Sequence, residues 1–427
     1  MAGTTKNGLL KQELVMFDDV IADFEETLVY SEAAETFNLG DAAVSARAND
    51  TVWRPMPLRV DSQEGLDQTG NFLGHTELAV PVTVDRVRSV PGTINSRELR
   101  DASVLRRKGD AAKSRLARDV NNALRREVAY YGSIVDVRAG AATGFDDVAS
   151  LMAKFDDLGV PEDNRMAFYS SRDMVKMASD LASRQTLTGK TQTAYEKAFI
   201  NEIAGFNVHK DSSGIFLPAA TATGVTVTGA NQRHVPMATK KNTVTGNESN
   251  VDNRSMMLNV GVTSGALQVG DAFTIAGVYS VNMLSKEPTQ ELKTFRVIDK
   301  ISATQIEIVP AIVSDDGTDP TSAETAYKNV STTPAAGAAI TMLNRVSSYA
   351  NSAFIKGALE FIPSTLAIDN QDGWASTKAT LSNGLTVYYT RQGDINNLST
   401  KYRWDVVFGT ALLNPEMAGI QLFNQGA

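Results

Sequence analysis

From Thr221 to about Asn344 the chain changes its hydrophobic period. Long charged helical patterns precede this stretch. Within it Thr, Gly, Val and Asn dominate, and apolar residues alternate in short runs such as Thr223-Gly-Val-Thr-Val-Thr-Gly229 and Ala272-Phe-Thr-Ile-Ala-Gly277. A period of 3.6 buries one stripe of a helix and a period of two buries one face of a strand, so no single element serves both patterns. The change predicts a β domain inserted into an α+β host. Strands are expected over 224–228, 256–262, 272–278, 293–298, 304–309 and 338–343. Phe295 and Val297 alternate with polar neighbours, as do Ile306 and Ile308. Turn residues separate the runs at Val269-Gly-Asp271, Asp299-Lys300 and Asp315–Pro320. Short strands so spaced predict a small antiparallel barrel, with a long polar loop at 239–254 between the first two.

The host reads differently. Over 9–36, Leu10, Leu14, Phe17, Ile21, Phe24 and Leu28 recur at spacings of four and three, the stripe of one helix. Its other faces carry Glu13, Asp18, Asp19 and Asp23 against a single Lys11. Either this helix packs on its own core with a solvated acidic face, or it is an arm that shows that face to a basic partner. Thr51-Val-Trp-Arg-Pro-Met-Pro57 and Leu78-Ala-Val-Pro-Val-Thr-Val84 read as the two strands of a ribbon whose prolines place it at an edge. A lone ribbon is marginal in water, so it must lean on another surface. Residues 96–135 predict a second helix, capped by Ser96 and open to a bend at Gly109. Ten Lys/Arg face five Asp/Glu over 97–127. Strands and helices then alternate to 218, and strands resume at 358–362, 385–389 and 404–408, as expected of an α+β host.

Chemistry is thinly marked. No nucleophile elbow, Walker loop or dinucleotide turn occurs. The chain has no Cys, which removes thiolate nucleophiles, disulfides and Cys-ligated metals. His75, His209 and His234 lack ligand spacing, and Asp315–Asp319 lacks the acid spacing of a calcium loop. No enzyme and no cofactor is expected. The formal charge of −8 disfavours tight nucleic-acid binding by the whole chain. The first residues show no signal-peptide core, and no apolar run reaches the roughly eighteen residues of a membrane span.

The charges best placed to act do so between chains. Lys240, Lys241, Glu248, Asp252 and Arg254 put both signs on one polar loop. Such a loop allows self-complementary pairing across a two-fold axis, or is simply solvated. Trp53, Arg54, Asp61, Glu64 and Asp67 are the matching candidates on the extended ribbon.

Several motifs then occur in a recognisable order: Thr221–Ala230, Asn250-Val-Asp-Asn-Arg254, Val269-Gly-Asp-Ala-Phe-Thr-Ile-Ala-Gly-Val278, Ala326-Tyr-Lys-Asn-Val330, Thr390-Arg-Gln-Gly-Asp-Ile395 and Asn414-Pro-Glu-Met-Ala-Gly-Ile420, with Thr51-Val-Trp and Gln63-Glu-Gly nearer the start. In these the chain resembles the major coat proteins of short-tailed double-stranded-DNA bacteriophages of the P-twenty-two type. The resemblance implies the tailed-phage capsid fold (Hong-Kong-ninety-seven type), α+β, with an inserted antiparallel β-barrel domain. It implies an N-terminal arm at 1–45, an extended loop at 46–82 and a peripheral domain with a spine helix at 83–135. The axial domain would be 136–221 with 346–400, the barrel 222–345, and 401–427 would return to the peripheral domain.

The function so implied is that of a structural shell protein, not an enzyme. It would form hexamers and pentamers of itself, assemble with scaffolding protein into an icosahedral procapsid, meet a portal protein at one vertex, and expand around DNA held only by weak contacts. Its place is the virion, after assembly in the bacterial host cytoplasm, with no membrane involved. In this resemblance Glu13, Asp18, Asp19 and Asp23 would meet the basic helical end of the scaffolding protein, and the loop at 239–254 would reach a neighbouring capsomer. Read from the residues alone, two other functions stay open: a β-barrel binding or decoration module for a glycan or host surface, and a hydrolase with a dispersed triad.

Overall fold

A computed structural model describes residues 11–22, 28–37, 51–62, 64–69, 72, 74–95, 97–98, 101–183, 202–212, 214–366, 375–394 and 396–426. The chain divides into two compact units. One comprises Met1–Val52, Val82–Leu124 and Glu360–Ala411, the other Trp53–Pro81, Arg125–Leu359 and Leu412–Ala427.

In the first unit the long strand Ser399–Leu412 organises a sheet. It pairs antiparallel with Thr386–Asp394 along one edge and with Arg86–Asn95 along the other. The strand at 86–95 was not expected. The helix spans Ala102–Tyr131 rather than 96–135, because Asp101 caps its start and Ile134–Val137 is a strand. At 1.5 Å per residue it is about 45 Å long, not about 60 Å. Ser96 lies outside the described residues. The helix start is capped by Asp101, whose Oδ1 accepts from the Ser103 amide at 2.9 Å. An apolar stripe is buried at Leu105, Ala112, Leu116, Val120 and Leu124, while Arg106, Arg107, Arg115 and Arg118 are exposed. Gly109 lies on the buried side, and a Cβ there would crowd Val20 and Met16. Its smallness therefore admits the N-terminal helix.

The N-terminal segment is not one helix among the described residues. Helices span Lys11–Ala22 and Val29–Ala33, and Glu35–Thr36 pairs parallel with Glu360–Phe361. Met16, Phe17 and Val20 are buried, and Phe17 stacks on Trp404 at 5.6 Å between ring centroids. The buried side is thus centred slightly away from the predicted stripe.

In the second unit a mixed sheet runs in the order Ile134–Val137, Ala418–Leu422, Ser348–Ile355, Arg165–Ser170, Phe206–Asp211, Glu202–Ile203. Helices Phe145–Asp157 and Ser171–Ser183 bury Phe155, Met174 and Met177. The first of these ends at Gly159, whose φ of +74° supplies the left-handed turn. Gly419 faces a harder constraint. It pairs in parallel with Ile134, and a Cβ on it would meet the Ile134 carbonyl oxygen.

The barrel is closed in the order Val225–Val227, Met256–Gly261, Gln305–Val309, Pro288–Lys300, Ala272–Val281, Ala339–Met342. All six predicted strands are present. Alternation places Val225, Val227, Leu258, Val260, Phe273, Ile275, Phe295, Val297, Ile306 and Ile308 in one core. Phe273 and Phe295 are direct cross-strand partners, with ring centroids 5.7 Å apart. Closure leaves the short strands no open edge.

Polar contacts fasten the barrel to the rest of its unit. Arg296, fully buried, donates to the carbonyls of Ala129 at 2.6 Å and Gly270 at 2.9 Å. Thr294 Oγ1 donates to the Ser133 carbonyl at 2.5 Å. Asn282 Nδ2 and the Met283 amide cap the helix ending at Asp157 through the carbonyls of Asp157 and Leu158, both at 2.9 Å. Lys293 Nζ lies 2.6 Å from Glu416 Oε1, and Arg59 Nη1 lies 2.8 Å from Glu416 Oε2. Burial alone would push the Glu416 carboxyl up. The Lys293 ammonium and the Arg59 guanidinium outweigh it and hold the carboxyl at about 2, against an ordinary 4.5.

Two outcomes follow from these contacts. Gly419→Ala must move one of two hydrogen-bonded strands, so urea unfolding should show a loss of about 1–3 kcal/mol; an unchanged midpoint would contradict the packing. The depressed Glu416 carboxyl contributes stability that is complete above pH 4.5 and fades as pH falls toward 2. Glu416→Gln should therefore cost about 3 kcal/mol at pH 7 and much less at pH 3. A stability gap that stays constant from pH 7 to pH 3 would refute that assignment.

Candidate assembly surfaces

The polar stretch at 239–254 is a built hairpin, not an open loop. Thr239–Lys241 pairs antiparallel with Glu248–Asn250, which sets Lys240 against Ser249 and Lys241 against Glu248. At the tip Asn242 Oδ1 accepts from the amides of Val244 at 2.9 Å and Thr245 at 3.1 Å. Gly246, at φ +74°, lets the chain return. At the base Asn253 is buried. Its amide nitrogen donates to the carbonyls of Met237 and Val251, and its oxygen accepts from the Met237 amide, each at 3.0 Å. This one side chain closes the hairpin that a short two-stranded ribbon could not hold alone.

The five candidate charges thus separate. Lys240, Lys241 and Glu248 lie on the exposed arms, near the 91% exposed Val244. Asp252 and Arg254 lie at the base and bind each other, Nε to Oδ1 at 3.0 Å and Nη2 to Oδ2 at 2.7 Å. Arg254 Nη1 also donates to the Leu412 carbonyl at 2.8 Å. Three charges face solvent and two position the arms.

The extended segment likewise has a built base and a bare tip. Thr51–Pro55 pairs with Ala79–Thr83, and no other strand occurs between them among the described residues. Trp53 and Arg54 are half-buried on the first strand, and Val80 and Val82 are buried on the second. Past the base, Asp61, Glu64 and Asp67 are exposed. Asp61 Oδ1 accepts from the Ser62 amide at 2.9 Å. The Thr69 hydroxyl, then its amide, hold the Asp67 carboxyl below its ordinary range. Leu66 is fully exposed and Phe72 is 89% exposed. Sequence reasoning missed these two apolar groups, although apolar residues isolated in a polar loop were their signal.

On the N-terminal helix Asp18 is exposed, and Glu13 and Asp19 belong to the same helix. Asp23 lies outside the described residues. Also in the first unit, Pro91, Gly92, Thr390, Arg391, Lys401 and Arg403 help line a surface groove of about 530 Å³. The three histidines have separate surroundings. His75 is exposed, His209 stacks on Phe168 and His234 Nε2 lies 3.0 Å from Asn253 Oδ1. Among the described residues no cluster of acidic or histidine side chains could hold a metal, and no helix is long and apolar enough to cross a membrane.

Residues 2–424 match the family described as "P22 coat protein - gene protein 5". Solved structures similar to this chain include the capsid of cyanophage P-SCSP1u, at 9% identity over 92% of this chain and 86% of that one, with a TM-score of 0.43. Mycobacterium phage Che8 is similar at 11% identity over 94% of this chain and 92% of that one, with a TM-score of 0.41. The CUS-3 coat protein I-domain is 40% identical over 28% of this chain and 95% of that one, with a TM-score of 0.23. The α+β host with an inserted six-stranded barrel agrees with the capsid fold that the resemblance implied. With almost its whole length matched, this chain belongs to the P22 coat protein family and is a major capsid protein of a tailed phage.

Proposed function

We propose that this chain assembles with a scaffolding protein into an icosahedral procapsid in the bacterial host cytoplasm, expands on maturation and encloses double-stranded DNA, with a portal protein at one vertex. The observation that carries the reading is the hairpin at 239–250. It is fixed at its base and tip, exposes both signs of charge, and takes no part in the barrel core. Two copies related by a two-fold axis would set Lys241 of each against Glu248 of the other, with Lys240 alongside. Each exposed pair contributes about 0–1 kcal/mol, and repetition over a closed shell multiplies the effect. Asp252 and Arg254 would aim the arms.

The other surfaces have matching roles. Glu13, Asp18, Asp19 and Asp23 would receive a basic helical end of the scaffolding protein. The tip bearing Asp61, Glu64, Leu66 and Asp67 is acidic and apolar, and suits the groove near Arg391, Lys401 and Arg403 on an adjacent copy. Trp53 and Arg54 would steady that contact from the ribbon. A net charge of −8 keeps enclosed DNA weakly adsorbed.

Co-expression with the scaffolding protein, followed by sedimentation and negative-stain microscopy, tests the reading. The wild type should give megadalton particles. Lys241→Glu should lower particle yield at least tenfold, and adding Glu248→Lys should restore most of it. Only monomers and dimers from the wild type would remove the shell reading. A double variant no better than the single would remove the two-fold pairing alone.

A further inference from the structure

Among the described residues of the extended segment, Arg59 is the charged one drawn into a buried site. It is 10% exposed, its partner Glu416 7%, and Lys293, on the other carboxylate oxygen, 3%. Arg59 Nη2 also lies 2.9 Å from Met283 Sδ. The returning half of the segment is held as well. The Tyr327 hydroxyl donates to the Thr76 carbonyl at 2.9 Å. Leu78 packs with Val313 and Tyr327, with Met56 against the same cluster. The Met56 amide donates to the Leu78 carbonyl at 2.8 Å, and Ala79 bridges in parallel to Asp252 at the hairpin base. Between Arg59 and Thr76, Asp61, Gln68 and the Asp67–Thr69 pair take part in short local hydrogen bonds.

We infer that the extended loop is clasped at its base to its own chain's barrel, with Arg59 as a releasable latch, so that movement of the loop pivots at Val60 and His75 and not at the paired strands. The charges around Glu416 explain why Arg59, rather than Lys293, is the releasable partner. Lys293 alone neutralises the carboxylate, so Arg59 can leave without stranding a buried charge. Lys286 and Lys328 already crowd the site with like charge. Burial, then the Arg59 guanidinium, bring the Lys286 ammonium down to about 8. Arg59 is thus held by geometry against a local excess of positive charge. It acts as a positioning residue for the loop.

The clasp rests on the shell reading only for what the tip meets, and the test uses the soluble full chain. Hydrogen–deuterium exchange should show the Met56 amide protected at least a hundredfold over 61–69. Arg59→Met should raise exchange at the Met56 amide tenfold or more, with strand 272–281 unchanged. Tyr327→Phe should loosen 76–79 in the same manner. Because the chain has no cysteine, Ala79→Cys with Asp252→Cys gives an independent reading: a single intrachain disulfide should form on mild oxidation and fix the base. Exchange at the Met56 amide as fast as at the tip, an Arg59→Met pattern equal to wild type, or failure of the cysteine pair to close would each overturn the clasp.

Discussion

A carboxylate taken out of water must be matched or it unfolds its surroundings, and Glu416 imposes that condition on three distant parts of this chain. It draws Lys293 from the barrel and Arg59 from the extended segment to a turn near the C-terminus. Arg296 works on the same side of the barrel by a different route, placing a buried guanidinium on main-chain carbonyls. Together they give the barrel one seat in its unit. The hairpin at 239–250 takes its direction from that seat, and so does the base of the extended loop.

Both projections repeat one design. Buried polar or apolar contacts fix the base: Asn253 and the Asp252–Arg254 pair for the hairpin, Tyr327 and Arg59 for the loop. Short side-chain-to-backbone bonds shape the tip without burying it, at Asn242 for the hairpin and at Asp67 with Thr69 for the loop. A subunit repeated in the proposed hexamers and pentamers would meet its neighbours at more than one angle. A stiff base with a solvated tip tolerates that range, because the tip's contacts do not have to be formed for the subunit to remain folded.

The barrel was legible because alternation is a local property. Phe295 and Val297, Ile306 and Ile308 announce their face without any knowledge of partners. The strand Arg86–Asn95 was missed because it is polar and only Ile94 is buried in it; it is a strand by virtue of residues 399–408, over three hundred positions away. The N-terminal segment kept a helical spacing through Leu28, yet the Ser31 hydroxyl and amide turn back to the Leu28 carbonyl and Glu35 enters a sheet. Among the candidate charges, position two residues apart allowed Asp252 and Arg254 to bind each other, which a reading of charge sign alone does not distinguish from a pair aimed outward. Arg59 and Glu416 were beyond reach of the sequence, since a long-range ion pair leaves no periodic trace.

The placement of charge separates what holds the subunit from what the subunit presents. Glu416, Lys293 and Arg296 are dehydrated, so their interactions are strong, directional and little screened by salt. Lys240, Lys241 and Glu248 stay hydrated, where a pair is worth about 0–1 kcal/mol and weakens over a screening length of about 8 Å in physiological salt. Were the outward charges as deeply buried as the inward ones, each encounter between subunits would be committed on first contact, right or wrong. In the proposed pairing, weak outward charges would let a misplaced copy leave before its neighbours arrive, and only a closed arrangement would gather enough of them to persist. Strong charges inside and weak ones outside are therefore what a reversible route to a closed shell requires of a single repeated chain.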